Sequence, residues 1–244
     1  MLRKAALIAL VTLTVGVRSV SAQDASSQQS PPPKQPDAPA HPKPAAWKEA
    51  LGDSLRMLTI QHAVRIAFQE KTRKYLGGNF FVDYHHSVKV PGQWSDGDSW
   101  STTYLGHPIQ GATTGFIWLG HSKNGVTPFS WSHDYMNSRM QATMFALASS
   151  IQWKVGPLSE ASIGNVGLNP ATLGWADHVT TPGGGLLVMM AEDAADRFIV
   201  SKLENRVGPS FVGALLRMAL TPSRSWANVA SLQKPWYRPG RDLR

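Results

Sequence analysis

Three ionisable residues stand where apolar segments meet connectors. His107 directly precedes Pro108, Glu160 lies in "GPLSEASIGN" after a long apolar stretch, and Asp177 comes shortly before the glycine-rich "TPGGG". Between Met140 and Ala191 the charged side chains are only Lys154, Glu160 and Asp177. An imidazole and two carboxylates gathered in one place can pass protons, or can ligate a hard or borderline metal ion. No HExxH or similarly local motif selects between these. A structural reading competes with both and is the one the sequence favours. Glu160 and Asp177 can accept hydrogen bonds from nearby amides, and His107 can be a satisfied buried imidazole. Every reading requires the three to meet at a shared end of packed helices, and no cofactor follows from them.

Those helices can be read from spacing. In "AWKEALGDSLRMLTIQHAVRIAFQEKTRKYL" the residues Leu51, Leu55, Leu58, Ala63, Ile66 and Phe68 recur broadly at helical intervals, and Gly77–Gly78 signals a stop. Residues 79–104 are aromatic, polar and broken by glycine, which predicts an ordered loop with a short strand. "HPIQGATTGFIWLG" predicts a short helix with Pro108 at its first position, and Gly111, Ala112 and Gly115 give it a small face for close packing. A helix over Asn137–Val155 is apolar or small on nearly every side, so it is expected at the centre of the bundle, with lipid contact as the alternative. Its Arg139, Gln141, Gln152 and Lys154 oppose a membrane span. Further helices are expected from Gly185 to Gly208 and over "SFVGALLRMAL", with a short turn in "PSRSWANVASL". Few stretches alternate with period two. The predicted fold is therefore all-α, a single-domain helical bundle with an ordered aromatic and glycine-rich loop region.

The N-terminal segment predicts export. Arg3 and Lys4, the apolar run Ala5–Val17 and small residues up to Ala22 make residues 1–22 a signal peptide. Residues 23–46, rich in Pro, Ser and Gln, read as a disordered linker. Residues 47–220 form the helical domain, and 221–244 a basic-aromatic C-terminal tail. The expected location is the periplasm or cell envelope, peripherally membrane-associated. The absence of cysteine excludes disulfides, thiolate catalysis and a cysteine zinc site.

Charge points to a partner. Removing the three basic residues of the signal segment from the formal +8 leaves +5, and Arg217–Arg244 sets six basic residues against Asp242 alone. No nucleic-acid partner is expected. Arg224, Trp226, Lys234, Trp236, Tyr237, Arg238 and Arg241 are expected to contact an anionic lipid or lipopolysaccharide surface. Docking of the tail onto the domain is an equally simple alternative. In "AEDAADR" the spacing predicts an Asp193–Arg197 ion pair on a solvated helix face. "TPGGG" predicts a tight turn, with amides that cradle an anion as the alternative.

"GHPIQG" (Gly106–Gly111), "GPLSEASIGN" (Gly156–Asn165), "TPGGG" (Thr181–Gly185) and "PSRSWAN" (Pro222–Asn228) together resemble a family of exported bacterial proteins of unknown function, over most of residues 50–240. The resemblance implies no established activity. A fainter likeness is to the VanZ-like membrane proteins, in which a His starts one apolar helix, a Glu ends another and an Asp introduces a glycine-containing helix. His107, Glu160 and Asp177 take those places, although Leu105–Gly106 stands where an Asp-Lys pair would be expected. This likeness groups the three residues without giving them a role. The leading functional expectation is a non-enzymatic helical envelope protein with a structural or binding role at a membrane surface. Alternatives are an envelope hydrolase or lipid-modifying enzyme using the His/Glu/Asp group, and a small integral-membrane bundle.

Overall fold

Small residues decide which helix is central. In the computed structural model, helix α3 (His107–His121) buries every residue from Gly111 to Leu119. The structure describes residues 46–241 apart from 69, 71–72, 74–75, 77–79, 88–91, 96, 123–126, 160–173 and 209, and apart from the side chains of 80, 83, 86 and 87. The expected signal peptide, all of the linker except Ala46, and Glu160 lie outside the described residues.

The remaining described elements, in chain order, are α1 (Trp47–Phe68), α2 (Phe80–Ser87), the wide π-helical turn π1 (Thr102–Gly106) leading into α3, and α4 (His133–Val155). They are followed by α5 (Ala176–Val179), π2 (Thr180–Gly184), α6 (Gly185–Ala195), π3 (Asp196–Val200), α7 (Ser201–Val207), α8 (Phe211–Leu220) and α9 (Pro222–Ala230). Among the described residues there is no strand, only an isolated bridge between Gln93 and Gly174. The fold is an all-α, single-domain bundle, and α3 packs against α1, α4, π2, α6 and α9.

The expected centre, the Asn137–Val155 helix, is instead one neighbour of α3. It begins earlier, at His133, where the Ser132 hydroxyl accepts from the Tyr135 amide at 3.3 Å. It leaves Met140, Met144 and Ile151 exposed. Glycine explains the difference. A Cβ on Gly111 would collide with the carbonyl oxygen of Thr181, and one on Gly115 with the Met189 sulfur. A Cβ on Gly185 would lie 2.8 Å from the Gly111 carbonyl carbon. The backbones of α3 and of π2–α6 therefore touch, as the small face predicted. "TPGGG" is no tight turn: Gly184 and Gly185 have helical φ of −63° and −59°, and close approach is what excludes a side chain at Gly185.

Residues 176–207 run as one continuous helical rod, closed by Gly208 at φ +66°. Pro182 inside π2 has no amide to donate and crowds the carbonyl four residues back, so the rod widens there. α1 departs from its expected face. Leu58 is buried, but Leu51, Leu55, Ile66 and Phe68 are exposed. The helix is held by Ala50 in the core, by Trp47 against Trp118 and by Asp53, which accepts from His121 Nε2 at 2.8 Å and from Ser231. Within the stretch read as a loop, residues 80–87 and 100–104 are helical. The segment after Leu220 belongs to the domain, because α9 packs on α3. No helix among the described residues is long and apolar enough to cross a membrane.

Candidate functional site

His107 is delivered by a helical run, unbroken from Trp100, that widens at π1. Its amide donates to the carbonyl of Thr102, five residues back, because Pro108 next in the chain cannot continue an ordinary α-helical ladder. The close crossing of α3 with π2 sets this end beside the start of the rod, where Asp177 sits in α5. A strap fixes the third element: the amides of Trp175 and Ala176 donate to the carbonyls of Gln93 and Trp94 at 3.0 and 2.9 Å. That strap holds the segment carrying Asp98 against the first residues of α5. Lys154 arrives from the last turn of α4.

These four side chains meet. His107 Nε2 lies 3.2 Å from Asp177 Oδ1 and 3.5 Å from Asp98 Oδ2. Lys154 Nζ donates to the other oxygen of Asp177, Oδ2, at 2.5 Å. His107, Lys154 and Asp177 are buried, whereas the Asp98 side chain is 34% exposed. One ligand atom each from Asp98, His107 and Asp177 falls within a 4.8 Å group. Nitrogen and oxygen ligands bound at about 2.1 Å around a tetrahedral ion stand roughly 3.4 Å apart, so the two measured separations suit a shared cation. Among the described residues, two carboxylates stand against one ammonium, a balance that a divalent ion would offset. Lys154 engages the outer oxygen of Asp177, the position from which a neighbour orients a ligating carboxylate.

Asp98 and His107 also line a cavity of about 580 Å³ whose walls include Met57, Ile60, Val64, Ile109, Trp153 and Trp226. A second cavity of about 390 Å³, walled by Leu51, Leu55, Leu58 and Phe145, shares Met57, Gln61, Gln110 and Trp153 with the first. The exposed apolar side of α1 thus overhangs a largely apolar space with charged groups in its wall.

Of the three residues singled out from sequence, the structure brings His107 and Asp177 together, and Glu160 lies outside the described residues. Sequence reasoning missed Asp98, hidden in the polar stretch "WSDGDSW", and gave Lys154 no role. A lysine in the final turn of a helix expected to be central was the available signal, since a buried ammonium requires a carboxylate.

The C-terminal residues require a correction. Arg224 and Arg238 are only 7% and 1% exposed, so they offer no surface to lipid. Arg224 pairs with Asp193, and Arg241 pairs with Asp196. Trp236 and Tyr237 dock through their carbonyls, which accept from Arg217 Nη1 at 2.7 Å and Asn228 Nδ2 at 3.0 Å. Trp226, Lys234 and Tyr237 keep exposed side chains. The expected Asp193–Arg197 pair on a solvated face is also replaced. Asp193 is buried and accepts from Arg139 Nε at 2.7 Å and Tyr135 at 2.9 Å, while Arg197 donates to the Phe129 carbonyl. Glu192, buried beside it, accepts from the amides of Ser223 and Arg224 at 2.8 and 3.1 Å and so caps α9. Burial raises the Glu192 carboxyl above its ordinary range, although those amides oppose the shift.

No protein-family model, curated protein or solved structure matches the chain.

Proposed function

We propose that this protein is a metal-dependent hydrolase of the cell envelope acting on amphiphilic substrates. The observation that carries this reading is the convergence of Asp98, His107 and Asp177, the first two of which line a largely apolar cavity. An apolar space with a few convergent polar groups is the usual form of a small-molecule site. The hydrocarbon part of a substrate would lie under α1, and its polar bond would face Asp98 and His107. A divalent ion in such a site polarises a substrate oxygen and activates water near neutral pH. Asp177 is fixed by Lys154, which keeps its inner oxygen aimed at His107. Asp98, on the more open side, faces the substrate. The location follows from the expected signal segment.

The test is hydrolysis of a panel of acyl esters and phosphodiesters with hydrocarbon tails, run with chelator and then with added Zn²⁺ or Mn²⁺. Activity should vanish with chelator and return with metal. His107→Ala and Asp177→Asn should abolish it, and Lys154→Met should weaken metal affinity by about 10–100-fold. Turnover that survives both chelation and His107→Ala overturns the proposal.

A second reading, a non-catalytic binding protein at a membrane surface, is favoured by the exposed Leu51, Leu55, Val64 and Phe68 on α1. Chelator-insensitive uptake of a fluorescent fatty acid with no turnover of the panel would support it over the first.

A further inference from the structure

Far along the same rod lies a second polar centre with the opposite charge balance. A cavity of about 280 Å³ is lined by Arg197, Arg224, Arg238 and Arg241 against two carboxylates, Asp193 and Asp196. Asp193 is also taken by Arg139, whose Nη2 lies 2.6 Å away, so guanidinium groups outnumber their internal partners. Arg217 and Arg241 both reach Glu204, the first at 2.5 Å and the second at 3.4 Å, so Glu204 does not redress the balance. Burial, then the neighbouring Arg224, Arg217 and Arg241, push the Arg238 guanidinium below the ordinary arginine range, with Asp196 opposing.

Three atoms on this cavity's lining residues lack hydrogen-bond partners among the described residues. Two are donors, Nε of Arg224 and Nε of Arg238, residues only 7% and 1% exposed; the third is an acceptor, Oδ1 of Asp196. Arg238 Nε and Asp196 Oδ1 stand 3.6 Å apart, too far for a direct hydrogen bond. Buried polar groups are normally satisfied, and orphans of both kinds on one cavity describe the ligand that would complete it. It must be an anion, to balance the arginines, and it must also carry a proton to give to Asp196. Sulfate and carboxylate at neutral pH accept only. A hydrogen phosphate or a singly protonated phosphate monoester does both.

We propose that this cavity is a phosphate site, in which Arg238 and Arg224 donate to the oxyanion while Asp196 accepts its P–OH proton in a hydrogen bond. Arg197 and Arg241 close the rim. The site is separate from the candidate metal centre and does not depend on it.

The experiment titrates the full-length protein with inorganic phosphate and with sulfate at matched ionic strength, reading heat and thermal midpoint against a chloride control. Phosphate should bind at least about tenfold more tightly than sulfate, the scale of one hydrogen bond to a charged group. Asp196→Asn should tighten sulfate and erase that preference. Arg197→Gln, on an exposed residue whose loss spares the fold, should weaken phosphate by about tenfold. Phosphate that behaves like chloride, or wild-type protein that binds sulfate as well as phosphate, overturns the proposal. Vesicles of phosphatidylcholine with phosphatidic acid, against phosphatidylcholine alone, separate the sources. Displacement of phosphate by the first alone assigns the site to a lipid headgroup, and no displacement assigns it to soluble phosphate. Either result upholds the phosphate site.

Discussion

The rod of residues 176–207 carries two buried polar centres that differ in sign. At its first turn, Asp177 meets His107, Asp98 and Lys154, and among the described residues carboxylates are in excess. Further along, Asp193, Asp196 and Glu204 meet arginines from α4, α8, α9 and the C-terminal segment, and cations are in excess. Both sit among packed helices where an unmatched charge is expensive. Their elements differ as well. The first depends on a glycine-on-backbone crossing that leaves an apolar cavity alongside; the second ties the end of the chain to the bundle through long guanidinium arms. A helical interior can thus hold a carboxylate-rich cluster and an arginine-rich one along a single rod.

The comparison can be broken most severely at Asp193. Asp193→Ala strands Arg139 and Arg224 in the interior and should cost about 3–5 kcal/mol in urea unfolding. If the two centres are independent, metal affinity at Asp98, His107 and Asp177 should persist in whatever fraction remains folded. Gly111→Ala attacks the other side. Its methyl would strike the Thr181 carbonyl and should cost about 3 kcal/mol, since backbone on both sides leaves little room to relax. It should reduce metal affinity while sparing the phosphate-dependent rise in thermal midpoint. Equal damage to both readouts would show one cooperative network.

The fold was legible because helix stops and small faces are local signals. Gly156–Pro157, Gly208 and the pair Gly111/Gly115 each mark an end or a crossing without reference to the rest of the chain. The choice of central helix was not legible. Apolar content favoured Asn137–Val155, but burial follows how closely neighbours can approach, which the glycines of α3 decide. Half of the candidate site was visible as His107 and Asp177, isolated charges beside apolar runs. Asp98 was not, because its partner is set by a strap between Gln93–Trp94 and Trp175–Ala176 that has no spacing rule. The tail misled for a related reason. Basic residues look solvated until carboxylates from elsewhere claim them, and Asp193 and Asp196 were assigned to a surface.

Smaller effects sharpen the contrast through pH. Burial alone would raise the Asp53 carboxyl, but donation from Ser231, His121 and Arg56 holds it below its ordinary range. A lowered folded pKa contributes stability above the unfolded value near 4, lost as pH falls through the folded value. Asp53→Asn should therefore flatten the acid side of the stability profile and cost about 1–3 kcal/mol at pH 7, read by urea unfolding across pH. Glu192 has the opposite sign. Its raised pKa makes the folded state the tighter proton binder, so its contribution declines as pH rises from the unfolded value through the folded one. Glu192→Gln should remove that decline and change stability at pH 7 by about 1 kcal/mol or less, because the loss of a buried charge offsets a weakened cap.

The most direct test of the central claim is the metal stoichiometry of the full-length protein. Elemental analysis after equilibration with Zn²⁺ or Mn²⁺ should find one tightly held ion per chain, absent in His107→Ala and in Asp177→Asn. An ion retained by both variants, or wild-type protein that binds none, would contradict the reading of Asp98, His107 and Asp177 as a metal centre.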